Sequence, residues 1–191
     1  MEPKPLRTRG IALEEAYIRQ IEAERIRHDL EQKELRALRN HLGAELEIRD
    51  GALLDLLIEQ GIAPDTAAAF EALPLVEVAW ADGEVDHEER WRVLATATAL
   101  GLELGRPDHA QLELWLKRRP PQELFDAWYR FAEGRHAIPD ARSRARRVIE
   151  GIHEVATAAG GLLGFGAVCG AEREAIARIR QALGDSPADP S

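Results

Sequence analysis

Residues 76–90, reading VEVAWADGEVDHEER, constrain the fold more than any other stretch of the chain. An apolar run enters an acidic turn, and a second helical run leaves it. Pro74 suits the first turn of the incoming helix, where its missing N–H would have had no partner. Gly83 supplies the left-handed conformation that closes such a helix. Asp86 followed by Glu89 matches a capping box, in which each carboxylate accepts a backbone N–H left over at the helix start. The stretch therefore predicts helix, turn, helix. It also places Asp82, Glu84, Asp86, Glu88 and Glu89 together, with no basic residue before Arg90. Carboxylates at that density fit a divalent cation or a basic partner as well as they fit helix caps.

The chain of 191 residues is long enough for one substantial core with an appended helical segment. All four tryptophans, Trp80, Trp91, Trp115 and Trp128, lie mid-chain, which predicts the best-packed region there. A formal charge of −9 argues against nucleic-acid binding, which draws on lysine and arginine to displace counterions from phosphate. Cys169 is the only cysteine, so neither an internal disulfide nor a cysteine-rich zinc site is available. The basic N-terminus has no apolar run behind it, and no stretch approaches the roughly 20 apolar residues of a membrane span. The expectation is a cytoplasmic protein without a transmembrane segment.

In chain order, residues 1–10 predict a disordered arm. From Ile11 to Leu42 there is neither proline nor glycine, and Leu13, Tyr17, Ile21, Ile26, Leu30, Leu35, Leu38 and Leu42 recur at helical spacing. Residues 11–45 are thus expected to form a long amphipathic helix, with Gly43 near its end. Such a helix either packs on its own domain or pairs with a partner or a second copy. Residues 46–184 predict a helical domain. Its segments are Gly51–Gln60, Asp65–Ala72, a run restarted by Pro74, and one capped by Asp86 with Trp91, Leu94 and Ala95 on one face. Pro107 opens the next, Phe125 to Phe131 populate another, Pro139 begins a further one, and the last runs over 170–183. Residues 185–191 predict a loose tail. No window alternates apolar and polar as a strand does, so the fold class is all-α.

The chain also echoes itself. Glu77–Gly83 (EVAWADG) returns as Glu154–Gly160 (EVATAAG), and Val85–Arg90 aligns with Val168–Arg173 across a longer glycine-rich turn, Gly160–Gly166. In the second copy Ala159 replaces Asp82 and Cys169 replaces Asp86, so the scaffold reads as duplicated and the acidic site as single.

With its duplicated scaffold, the chain resembles the TerB-like proteins, an all-helical family linked to tellurite resistance. Their halves each carry an A-x-A-D-G-x-[VI]-x-x-x-E pattern. Here it is met by Ala79, Ala81, Asp82, Gly83, Val85 and Glu89, and in part by Ala156, Ala158, Gly160, Val168 and Glu172. The resemblance covers about residues 50–184. It implies a bundle of two degenerate helix–turn–helix repeats and no enzymatic activity. It also implies a link to metal-ion or oxyanion stress through acidic residues that bind metal or basic partners.

Each candidate site carries two readings. Asp82, Glu84, Asp86 and Glu89 either ligate a divalent metal ion or only cap helices; the spacing lacks the bidentate glutamate of an EF-hand loop. Gly160–Gly166 has no phosphate-loop spacing and reads as a loop tucking Leu162, Leu163 and Phe165 inward, or as an apolar contact. Cys169, at a helix start, is either a small capping residue or an activated thiol. The arginines at 142, 144, 146 and 147 read as a solvated face or a dock for an acidic surface. The expected function is a non-catalytic, stress-related module that binds a divalent cation or basic partner at 82–89. The alternative is an interaction adaptor working through the N-terminal helix, with the acidic turn purely structural.

Overall fold

Helix α1 spans Pro5–Glu45, beginning six residues before the expected start at Ile11. Pro5 costs nothing in a first turn, and Gly10 weakens the helix by only about 1 kcal/mol, so residues 5–10 read through as helix. At the other end α1 runs past Gly43. It closes on Glu47, which takes a left-handed φ of 55°. The Ile48 N–H donates to the Gly43 carbonyl at 2.9 Å and the Glu47 N–H to the Ala44 carbonyl at 3.4 Å, a Schellman closure with glutamate where glycine is usual. Gly43 is needed for a different reason. A Cβ there would stand 3.1 Å from the Ile48 carbonyl oxygen and 3.1 Å from a Leu54 methyl.

The computed structural model describes residues 5–135, 147–148, 150–152 and 170–184, with side chains of α1 from Tyr17 onward. Met1–His41 and Leu42–Ser191 form separate units. In the second unit, α2 (Gly51–Glu59) is capped by Asp50, whose carboxylate accepts the Ala52 and Leu53 N–H groups. A 3₁₀ turn at Pro64–Thr66 leads into α3 (Ala67–Glu71), so the expected single helix over 65–72 is split. α4 (Leu73–Ala79), α5 (His87–Ala99), α6 (Pro107–Lys117), α7 (Gln122–Gly134) and α8 (Gly170–Ala182) follow. Among the described residues there is no strand, and the fold is all-α. None of these helices is long and apolar enough to cross a membrane.

α4 is the centre of the second unit. All seven of its residues are buried, and it packs against α3, α5, α6, α7 and α8. A helix buried on every side, and apolar but for Glu77, is stable only inside a shell of other helices. The shell is amphipathic: α7 buries Leu124, Phe125, Trp128 and Phe131, and α8 buries Ala175, Ile179 and Ala182. Phe70 of α3 meets Phe131 with ring centroids 5.3 Å apart.

Of the α5 face read from the sequence, Leu94 packs against the core, but Trp91 is 65 % exposed and Ala95 is also exposed, while α5 buries Val93, Thr96 and Ala97. Trp91 lies on the opposite side of that helix; Trp115 and Trp128 are the buried tryptophans and Trp80 is half-buried. The predicted helix after Pro139 lies largely outside the described residues; the described positions 147, 148 and 150–152 are helical.

Candidate functional site

The acidic turn is built by the two helices it joins. α4 ends at Trp80, Gly83 takes a φ of 101°, and the Glu84 N–H donates to Asp82 Oδ1 at 3.2 Å. The capping box then forms in full. The Glu89 N–H donates to Asp86 Oδ1 at 2.7 Å, and the Asp86 N–H donates to Glu89 Oε2 at 2.9 Å. Glu88 pairs with Arg92 one turn along α5. The turn is held to α6 by Trp80, whose indole N–H donates to the Trp115 carbonyl at 2.9 Å.

These bonds show what the predicted metal residues do at the start of α5. Asp82, Asp86 and Glu89 each spend an oxygen on a backbone N–H, and Asp82, Glu84 and Asp86 are exposed to solvent. Among the described residues no three His, Cys, Asp or Glu side chains are grouped so as to hold a metal ion. The turn is a centre of negative potential. Burial pushes the Glu89 carboxyl above its ordinary range, the Asp86 backbone bond opposes this, and the charges of Asp86, Asp82 and Glu172 push further upward. Glu172 lies at the start of α8, at the position that matches Glu89 in the internal echo.

A polar cluster escaped the sequence reading. Glu77, on fully buried α4, accepts the Tyr129 hydroxyl, which lies 2.8 and 2.9 Å from its two oxygens, and pairs with Arg178 at 3.2 Å. Burial raises the Glu77 carboxyl while Tyr129, then Arg178, pull it back. Burial and the neighbouring Glu77 charge drive Tyr129 strongly upward, so it stays a proton donor. The signal available in the sequence was a glutamate inside an otherwise apolar run, Leu73–Ala79.

The α1 surface is the other candidate. Tyr17, Ile18, Ile21, Ile26, Leu30 and Leu35 are all exposed, from 38 to 65 %. Ile26 and Leu30 lie round the helix from Tyr17 and Ile21, so the apolar positions do not merge into a single stripe. His87 is exposed, and His109 is buried at the start of α6. Cys169, the Gly160–Gly166 loop, Arg142, Arg144, Arg146 and the second-copy positions Ala156, Ala158, Gly160 and Val168 lie outside the described residues. Arg147 is exposed.

Compared with family models, curated proteins and solved structures, the chain matches none.

Proposed function

We propose that this chain is a non-catalytic, cytoplasmic binding module with a TerB-like bundle, and that α1 is the element that meets a protein partner. The observation that carries the reading is the set of six large apolar side chains left in water between Tyr17 and Leu35. Covering one such side chain is worth about 1.5–3 kcal/mol, a drive that the acidic turn lacks. The turn's carboxylates already serve the backbone, which supports a structural role for them. The TerB-like assignment draws on the motif at Ala79–Glu89 and on the influence of Glu172 upon its counterpart Glu89.

One observation favours a second reading, in which the turn attracts a divalent cation or a basic partner in stress-related work. Burial first, and then the charges of Asp86, Asp82 and Glu172, resist ionisation at Glu89, so the turn gathers negative charge. Photo-crosslinkers placed at Ile26 or at Glu84 in the full-length chain separate the two readings. Adducts to another polypeptide from position 26, lost in an Ile21→Glu/Leu30→Glu variant, are expected. Adducts from position 84 alone, or saturable divalent-cation heats that vanish in Asp82→Ala/Asp86→Ala, would instead establish the turn as the site.

A further inference from the structure

Away from both surfaces, a cleft of about 780 Å³ opens between the end of α1, the start of α2 and the end of α7. That volume lies within the range of small-molecule sites, roughly 300–1,000 Å³. Three arginines line it. Arg135 is buried, with Nη2 on Glu47 at 2.6 Å and Nη1 on Glu71 at 2.9 Å, and its guanidinium lies 4.9 Å from the centre of the Phe131 ring. Arg130 pairs with Asp50 at 2.9 Å. Counting Glu71, the three arginines and three carboxylates balance, so what distinguishes Arg49 is an exposed guanidinium without a direct acidic partner among the described residues.

The rest of the lining sets what can accompany an anion. Ile48, Leu53 and Phe131 supply an apolar wall. Gly134 leaves the α7 side open, since a Cβ there would meet nothing within 4 Å. The wall at Glu47 is held in its left-handed conformation, an unfavourable one for a residue with a side chain, while its carboxylate is pinned to Arg135. Glu47 and Asp50 add negative charge to the rim. A dianion would meet that charge with only Arg49 to balance it, and a cation would leave Arg49 unpaired.

We propose that this cleft binds a small organic monoanion, a carboxylate carried on an apolar body, with Arg49 taking the carboxylate and the Leu53–Phe131 wall taking the body. The site shares only the last residues of α1, Gly43 and Ala44, and none of the exposed apolar residues from Tyr17 to Leu35 or of the acidic turn, so the proposal stands or falls apart from the function proposed above.

Calorimetric titration of the full-length protein with octanoate tests it, with octylammonium and inorganic phosphate as comparison probes. Saturable binding of octanoate at one site is expected, with neither comparison probe binding as tightly. Arg49→Gln should weaken it about ten-fold, as for loss of one charge-assisted contact, and Arg49→Lys should restore most of it. Gly134→Leu should abolish it by filling the cleft, in a protein still folded by circular dichroism. Absence of saturable octanoate binding overturns the proposal. So does equal affinity in Arg49→Gln, or equal affinity for either comparison probe. Should Gly134→Leu fail to fold, the two Arg49 variants decide alone.

Discussion

Glu77 shows how one residue can be required by its neighbours and still disfavour the folded state as it ionises. Folding raises its carboxyl above the ordinary value of 4.5, so the folded state binds the proton more tightly than the unfolded chain does. Its contribution is fully present below the unfolded value and is lost as pH rises through the raised folded value. Denaturation midpoints measured from pH 4 to 8 should therefore fall relative to those of Glu77→Gln as pH increases. Parallel profiles would rule out burial as the dominant influence on this group. Tyr129→Phe removes the donor that faces both Glu77 oxygens, and at neutral pH it should cost about 1–3 kcal/mol, the penalty of an unsatisfied buried acceptor. Arg178 is 61 % exposed on its side chain, so water screens its pair and Arg178→Gln should cost far less.

At the scale of elements, the start of α5 and the contact of α5 with the helical residues 150–152 give two tests. Asp86→Ala should destabilise by about 0.5–2 kcal/mol through loss of the cap, with Asp86→Asn retaining most of the stability. The same loss in the presence and absence of divalent cations would mark the carboxylate as a cap; a cation-dependent difference would mark it as a ligand. Gly151 approaches Thr96 on α5 so closely that a Cβ would lie 2.6 Å from the threonine methyl. Gly151→Ala should cost about 1–3 kcal/mol by overpacking. Thr96→Ser removes that methyl and keeps the hydroxyl, so the double variant should recover most of the loss. Additive single losses would show that the two helices do not meet there.

For the whole molecule, charge is unevenly shared. Acidic and basic residues balance within residues 1–45, so the net −9 belongs entirely to residues 46–191. An apolar contact through α1 is consequently expected to persist as salt rises, whereas a basic partner held at the acidic turn should be released. Co-purification of a crosslinked partner across 0.05–0.5 M salt, about a three-fold span in screening length, distinguishes them. Loss of the α1 adduct at high salt would contradict the proposed function.

What the sequence determined by itself was mostly local. The all-α class, α2, the proline starts of α4 and α6, the Gly83 turn and the Asp86–Glu89 box rest on backbone preferences within a few residues, and these were legible before any packing was known. Of the candidate site, the sequence showed which carboxylates gather and that they could cap, because both facts depend on neighbours in the chain. It did not show which face of α5 is buried, because Trp91 and Val93 are both apolar and only the position of α4 chooses between them. Nor did it show that Glu77 would meet Tyr129 and Arg178, or that Glu47 would hold Arg135, since those partners lie 52 to 101 residues away in the chain. Contacts at that separation are chosen by how helices pack around α4, and no local pattern encodes them.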